Sequence, residues 1–242
     1  MFYNFAAMEI LIGVAKINKY AVSESGDTLE VVERPSGGMS VVLADGQRSG
    51  KGAKVISTMV VRKVISLLAE GVRDGAAARA ASDYLYTHRN GQVQSTLNIV
   101  SIEMESHTLV VTRNNPLPVL VFQDGEITSL DERSDPVGLR RETRPVLNQL
   151  EIKPGLTVAV FTDGLPFAGE RSGKPMDIHS AFNRMATLGE SPQAIADGLM
   201  AEALALESSR PGDDISILVL GARSSNSDAV RRMSVSLPAW PG

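Results

Sequence analysis

Two aspartates stand at the ends of long apolar runs, where a buried strand would hold a carboxylate rigidly. Asp45 closes the run MSVVLADG and Asp163 closes the run LTVAVFTDG, and a glycine follows each of them. The sequence after each pair does not read as a returning strand, so a hairpin turn does not explain them. The glycine leaves the surroundings open, so a backbone carbonyl or a water can share a bound cation. Both aspartates are candidate metal ligands.

Further acidic residues open apolar strands instead of closing them. Asp27 directly precedes the strand that begins at Thr28, and Asp213 and Asp214 directly precede the apolar run ISILVL. Adjacent acids at the start of a buried strand are costly unless a positive charge compensates them. Taken alone, the pair is equally well explained as a solvated loop cap. Together, the four acidic strand ends favour one site for hard cations such as Mg²⁺, Mn²⁺ or Ca²⁺.

The other Asp-Gly pairs are interpreted as structural. Asp74 and Asp197 fall in or beside helical segments, and Asp124 lies between two short strands. Asp-Gly between strands is a common hairpin turn, because both residues tolerate positive φ angles.

Hydrophobic periodicity predicts the elements that must position these acids. Helices are predicted over residues 54–70, 76–87 and 191–206, the last with Ser191 as its cap and proline at its first position. Strands are predicted over residues 28–33, 39–44, 96–103, 108–113, 119–123, 126–130, 156–162 and 215–220, with a loop over residues 133–147.

The order of these elements predicts an α/β (α+β) fold in which sheet packs on sheet with helices outside. The strands are too consecutive along the chain for a doubly wound parallel sheet. Residues 1–221 are expected to form a single domain, because nothing marks a linker. Residues 222–242 are rich in serine, arginine and proline and are expected to form a flexible tail.

Composition narrows the classes of function. The 242 residues carry a formal net charge of −4, which gives no basic footprint for nucleic acid. There is no cysteine, hence no thiolate metal site and no thiol nucleophile. No apolar run is long enough to span a bilayer, and Met1 to Ile12 lacks the basic start of a signal peptide. A cytoplasmic protein without nucleic-acid or membrane partners is expected.

Four motifs, in this order, resemble the PPM (PP2C-type) protein phosphatases, above all the bacterial branch of SpoIIE, RsbU and RsbX. They are Ser25-Gly26-Asp27, Leu43-Ala44-Asp45-Gly46, Phe161-Thr162-Asp163-Gly164-Leu165 and Gly212-Asp213-Asp214-Ile215-Ser216. Shorter stretches also match, namely Ser49-Gly50-Lys51-Gly52-Ala53, Ser95-Thr96-Leu97, Asn115-Pro116-Leu117-Pro118 and Asp135-Pro136-Val137-Gly138-Leu139.

The resemblance implies a four-layer α-β-β-α sandwich of two mainly antiparallel sheets. It also implies hydrolysis of phosphoserine or phosphothreonine by a water that two Mn²⁺ or Mg²⁺ ions activate, with no covalent intermediate. Asp45 and Asp27 are expected at the catalytic centre. Carried over residue by residue, the resemblance implies Asp45 with the carbonyl of Gly46 as ligands of both ions and Asp27 as a ligand of one ion, directly or through a water. Asp163 and Asp213 complete the shell of the other ion, with Asp214 as ligand or as support.

Two departures from the family pattern concern substrate choice and regulation. Arg48 stands where a glycine is usual, and the turn reads Arg113-Asn114-Asn115 where relatives often have Gly-His. The segment between Asp45 and the first helix holds Gly50 and Gly52. It is either a hinge that lets the helix regulate the metal site or a link to a helix that is a static support.

Two non-enzymatic alternatives remain open at this stage. One is a PPM-like binding or regulatory module that has lost activity, and the other is a structural domain stabilised by calcium. For the enzyme, the resemblance implies a phosphorylated protein substrate, such as a small regulator of the anti-sigma-antagonist type in a stress-response or partner-switching pathway. The sequence leaves the oligomeric state undetermined.

Overall fold

A computed structural model describes residues 8–225 and 230–238, which form ten strands and four α-helices. The strands are β1 Met8–Ile17, β2 Asp27–Glu33, β3 Met39–Gly46, β4 Ser95–Glu103, β5 Thr108–Asn114, β6 Val119–Gln123, β7 Glu126–Leu130, β8 Val146–Glu151, β9 Thr157–Phe161 and β10 Ile215–Ser224. The helices are α1 Gly50–Ala69, α2 Asp74–Arg89, α3 Ile178–Thr187 and α4 Pro192–Leu206, and a 3₁₀ turn covers Glu170–Ser172.

The strands form two five-stranded sheets in which every pairing is antiparallel. The first sheet has the order β1-β10-β9-β6-β7 and the second has the order β2-β3-β4-β5-β8. One apolar core lies between the sheets, with Val41 and Leu43 from the second sheet against Val160 and Leu218 from the first. Side chains of consecutive strand residues alternate between the two faces, so the central strands are apolar on both.

Each sheet buries its outer face under a helix pair. On the second sheet, Val60 and Val64 of α1 and Leu85 of α2 pack against Val42 and Ile99. On the first sheet, α3 and α4 pack in the same way against β9 and β10. The layers therefore run α-β-β-α, and the predicted fold class is confirmed.

Three elements were not predicted, and one boundary lies further along the chain than expected. The sequence pattern predicted no strand at β1 or β8 and no helix at α3. The last strand continues to Ser224, three residues into the predicted tail, because Ala222–Ser224 pairs with Met8–Ile10 of β1. Part of the N-terminal segment considered above, residues 1–7, lies outside the described residues.

The first helix begins earlier than its periodicity predicted. Gly50 and Gly52 lie in the first turn of α1 and not in a linker before it. Gly50 has φ +71°, whereas Gly52 is exposed and a Cβ there would meet no atom within 4 Å. Of the two glycines, only Gly50 has the positive φ that favours a hinge, and Arg48 in the same connection has one as well, at +77°. None of the helices in the described part of the chain is long and apolar enough to cross a membrane.

Candidate metal centre

One pocket of about 290 Å³ opens where the two sheets meet, and the acidic strand ends converge on it. All six residues predicted as ligands line it, namely Asp27, Asp45, Gly46, Asp163, Asp213 and Asp214. Since a water molecule takes about 30 Å³ of liquid volume, the pocket has room for several water-sized groups. Acids separated by up to nearly 190 positions in the sequence are thus brought to one place.

Strand register explains why Asp27 and Asp45 meet. Asp27 begins β2 and Asp45 lies near the end of β3, and the two residues are directly opposite each other in this antiparallel pair. Directly opposed residues point to the same face, with Cβ atoms roughly 4.5–5.5 Å apart, where like charges repel. The backbone therefore forces two carboxylates together.

Hydroxyl groups from the other sheet hold one side of the Asp27 carboxylate. Its Oδ2 accepts hydrogen bonds from Thr162 Oγ1 at 2.9 Å and from Ser216 Oγ at 2.6 Å. Its Oδ1 is also buried, but it has no hydrogen-bond partner among the described residues. A buried oxygen without a donor is costly, so this atom is a natural ligand for a cation.

The Asp27 backbone is fixed as firmly as its side chain. Lys16 Nζ and Lys54 Nζ donate to its carbonyl oxygen at 2.6 Å and 2.7 Å. Ser57 of α1 donates to the carbonyl of the preceding Gly26 at 2.5 Å. Neither lysine nor these hydroxyl groups were predicted from sequence, because single polar residues within apolar runs carry no spacing signal.

The pocket raises the pKa values of three of its carboxyl groups and so disfavours their ionised forms. Burial raises the pKa of Asp45 to about 9, and the charges of Asp27, Asp163 and Asp213 add to this effect. Burial, followed by the charge of Asp213, raises the pKa of Asp163 to about 6. The pKa of Asp27 is raised as well, again chiefly by burial. A divalent cation would reverse these shifts because it stabilises the ionised forms.

The adjacent acids Asp213 and Asp214 have different environments. Asp214 is 4% exposed, and its two oxygens accept from the backbone N–H of Lys19 at 2.9 Å and of Gly26 at 2.8 Å. Asp213 is exposed, and its Oδ1 accepts only from the N–H of Asp214 at 2.9 Å among the described residues. Asp214 therefore fastens the β1–β2 loop, whereas Asp213 is free to turn to the pocket.

The donor set fits hard divalent cations. Within residues 8–225 and 230–238, no three acidic or histidine side chains are already gathered in a metal-coordination shell. The carboxylates nevertheless share one pocket, and Asp27 supplies a buried oxygen with no donor. Oxygen ligands of this kind suit Mg²⁺ or Mn²⁺. A cation would have to draw these carboxylates closer together to complete its shell.

The Asp-Gly pairs interpreted as structural lie where the sequence placed them. Asp124 and Gly125 have φ +54° and +82° in the β6–β7 hairpin. Asp74 begins α2 and forms a buried ion pair of 2.7 Å with Arg34. Asp197 lies within α4.

The two departures from the family pattern have different structural meanings. Arg48 has φ +77°, a conformation that glycine adopts freely and that costs other residues about 1–2 kcal/mol. Arg113 is fully buried and donates to the carbonyl oxygens of Asn115, Leu117 and Glu132, so it organises the turn and the loop beside it.

Close packing joins the metal pocket to α1. A Cβ on Gly46 would lie 2.0 Å from the carbonyl oxygen of Ala53, which no side-chain movement could relieve. We expect Gly46→Ala to lower the free energy of unfolding by about 1–3 kcal/mol. Gly52→Ala, in the first turn of α1 and facing open space, should instead raise the free energy of unfolding by about 0.5–1 kcal/mol. Urea melts of both variants test this, and equal effects would contradict it.

The sequence is similar to one known protein family. The family model described as "Stage II sporulation protein E (SpoIIE)" matches residues 35–223. Stage II sporulation protein E of Bacillus subtilis (strain 168) is 20% identical over 219 residues, which cover 90% of this chain. The chain spans about a quarter, 26%, of the length of that curated relative.

Solved structures share the fold. The PP2C phosphatase domain of SpoIIE from Bacillus subtilis, solved with a fragment of its regulatory domain, superposes with a TM-score of 0.77 at 19% identity, covering 91% of this chain and 65% of that chain. The catalytic domain of the serine/threonine protein phosphatase PstP, solved with 2 manganese ions, has a TM-score of 0.66 at 17% identity, covering 90% of this chain and 100% of that chain.

Proposed function

The chain belongs to the family of stage II sporulation protein E, and from this premise we propose that it is a metal-dependent protein serine/threonine phosphatase. Its substrate would be phosphoserine or phosphothreonine on a regulatory protein. More specifically, the substrate would be a small regulator of the anti-sigma-antagonist type in a stress-response or partner-switching pathway.

One observation carries the proposal. Carboxylates from both sheets converge on one pocket, and burial and mutual repulsion raise the pKa of Asp45 to about 9 and of Asp163 to about 6. Such an arrangement is costly for folding alone, and perturbed acids in a cleft are typical of functional sites. Bound divalent cations would offset this cost, because they stabilise the ionised carboxylates.

The residues divide into ligands and supports. We propose that Asp27, Asp45, the carbonyl of Gly46, Asp163 and Asp213 hold two Mn²⁺ or Mg²⁺ ions. When bound, such ions would supply charge neutralisation for the phosphoryl group and an activated water. Asp214 is assigned to support, because two backbone N–H groups already occupy its oxygens.

Neighbouring groups keep the ligands in place. Thr162 and Ser216 orient the Asp27 carboxylate through its Oδ2, which leaves Oδ1 to face a cation. Lys16 and Lys54 fix the Asp27 backbone, and Lys54 brings α1 into the arrangement. Ligands fixed in this way lose little mobility when a metal binds.

Phosphate release from phosphoserine and phosphothreonine peptides in the presence of Mn²⁺ tests the proposal. We expect turnover of both peptides and a complete dependence on the metal. Mn²⁺ binding without turnover would favour the silent binding module. A rise in melting temperature with Ca²⁺, but no turnover with Mn²⁺, would favour the calcium-stabilised structural domain.

The adjacent acids offer a sharper test of the ligand assignment. Asp213→Asn should raise the Mn²⁺ concentration for half-maximal activity at least about tenfold with little change in stability. Asp214→Ala should lower the free energy of unfolding by about 1–3 kcal/mol in chelator, because it leaves two N–H groups without acceptors. Manganese titrations beside urea melts measure both effects. If Asp214→Ala raised the Mn²⁺ requirement and Asp213→Asn lowered the stability, Asp214 would be the ligand and Asp213 the support.

A further inference from the structure

Four basic residues from four different segments lie at or beside the acidic pocket. Lys19 and Arg48 line the pocket itself. The guanidinium of Arg171 lies against Gly212, beside Asp213, since a Cβ on Gly212 would be 3.0 Å from Arg171 Cζ. Arg210 lies over the ring of Tyr20, 5.2 Å from its centre. We call Lys19, Arg48, Arg171 and Arg210 the basic rim.

Arg210 belongs to this rim because Tyr20 follows Lys19 and the Tyr20 N–H donates to the carbonyl of Pro211 at 2.9 Å. That hydrogen bond joins the β1–β2 loop to the loop before β10, which carries Asp213. The rim therefore borders the pocket on the side of both loops and of the β3–α1 connection.

Among the described residues, no rim residue forms an ion pair within 4 Å, although the Glu207 carboxylate lies near the Arg171 guanidinium, because a Cβ on Gly212 would be 3.2 Å from Glu207 Oε2. The ion pairs among the described residues involve other basic side chains, such as Arg34, Lys153, Arg184 and Arg223. A protein with a net charge of −4 thus keeps a group of basic side chains beside this acidic pocket.

Arg48 is the most informative member. Its φ of +77° is strained for a long side chain such as arginine, and the residue is exposed, so no packing contact in the fold explains it. Strain of this kind concentrates at functional sites, where the side chain has a use that the backbone opposes. A glycine would relieve the strain but would remove a cation from the pocket.

We propose that the basic rim binds acidic residues that flank the phosphorylated residue of the substrate protein, and that Arg48 is a specificity-determining residue. This inference rests on the proposed phosphatase function of the same pocket. Without the rim, the carboxylates of the pocket would repel an acidic segment as it approached. Arginine suits the task because its planar guanidinium can bind a carboxylate through two hydrogen bonds.

Binding of two labelled peptides tests the inference without requiring turnover. Each peptide carries a phosphonate analogue of phosphoserine, one flanked by glutamates and the other by lysines, and fluorescence anisotropy is measured with Mn²⁺. We expect wild-type protein to bind the glutamate peptide at least about tenfold more tightly at low salt. The advantage should shrink at about 0.5 M NaCl, because exposed charges are screened.

Variants then assign the preference to the rim. Arg48→Gly should weaken binding of the glutamate peptide about three- to tenfold and leave the melting temperature equal or higher. Lys153→Gln is the matched control, because Lys153 is 49% exposed and precedes β9 at the end opposite Asp163. It should leave the affinities for both peptides unchanged.

Several results would overturn the inference. Equal affinity for the two peptides, a preference for lysines, or unchanged binding by Arg48→Gly would each do so. Turnover of p-nitrophenyl phosphate, which has no flanking residues, separates the two proposals. Turnover without a peptide preference would contradict only the proposed role of the basic rim. A peptide preference without turnover would contradict only the proposed phosphatase activity.

Discussion

Asp45→Asn is expected to abolish phosphate release from a phosphoserine peptide while the protein stays folded. Asp45 faces Asp27 across the β2–β3 pair and lies within the influence of Asp163 and Asp213. Loss of a direct ligand should exceed the roughly 10–100-fold loss that follows removal of an outer partner. Phosphate release at saturating Mn²⁺ measures the loss of activity, and a circular dichroism spectrum shows whether the protein is still folded.

The same substitution should stabilise the metal-free protein. Because burial raises the pKa of Asp45 to about 9, the metal-free fold must keep this carboxyl protonated at neutral pH, which costs stability. Asparagine has nearly the same shape and is neutral without that cost. A gain of at least about 1 kcal/mol corresponds to a melting temperature higher by roughly 2–4 °C. The comparison is made in chelator. A lower melting temperature there would show that the Asp45 carboxylate is part of the structural framework.

Asp124→Asn is the matched control, since Asp124 also follows an apolar strand and precedes a glycine. It lies in the β6–β7 hairpin with φ +54°, a conformation that asparagine tolerates well. Activity and stability should both stay close to wild type. Equal losses of activity from the two substitutions would contradict the distinction between a ligand and a turn.

Removal of divalent cations is expected to reduce turnover to background, and Mn²⁺ or Mg²⁺ should restore it. The buried Oδ1 of Asp27 has no donor among the described residues, and the neighbouring acids repel one another without a cation. A metal at about 100 times its dissociation constant adds roughly 2.7 kcal/mol to the free energy of unfolding. The melting temperature should therefore rise by roughly 5–10 °C.

The control for this experiment is a titration with Ca²⁺. If Ca²⁺ raises the melting temperature as far as Mn²⁺ does, stabilisation alone does not identify a catalytic metal, and turnover decides. Undiminished phosphate release in excess chelator, after dialysis against metal-free buffer, would rule out the proposed mechanism.

The sequence predicted best those elements that are buried on both faces. Strands β3, β9 and β10 are continuous apolar runs, so their existence and the acids at their ends could be identified from sequence. Strand β8 was missed because it lies at a sheet edge and its residues, VLNQLE, alternate between half-buried and exposed. Strand β1, at the edge of the other sheet, is only half-buried over most of its length.

Helix α3 was missed for a different reason. Its buried residues Ile178, Phe182 and Met185 have helical spacing, and Asp177 caps it by accepting from the N–H of Ser180. The signal was present but short, at 10 residues, and it followed a loop rich in glycine and charged residues. Short helices depend on tertiary packing more than on their own propensity.

For the site, the sequence predicted the acids but not what holds them. Thr162 and Ser216 were contained in motifs already quoted, yet nothing in their spacing indicated that both would donate to Asp27. The separate roles of Asp213 and Asp214 also depended on the structure, since only the packing of the β1–β2 loop shows which carboxylate is occupied. Long-range contacts of this kind carry no local signal.

The hydrogen bonds that join Asp27 to Thr162 and Ser216 span 135 and 189 positions of the chain. During synthesis, Asp27 therefore emerges long before the hydroxyl groups that orient it. Until β10 has docked between β1 and β9, its carboxylate should remain hydrated like that of any unfolded chain. We expect metal ions to bind at the end of folding and then to stabilise the contact between the two sheets. A nascent or truncated chain that lacks β10 would then neither hold the ions nor hydrolyse phosphoproteins prematurely.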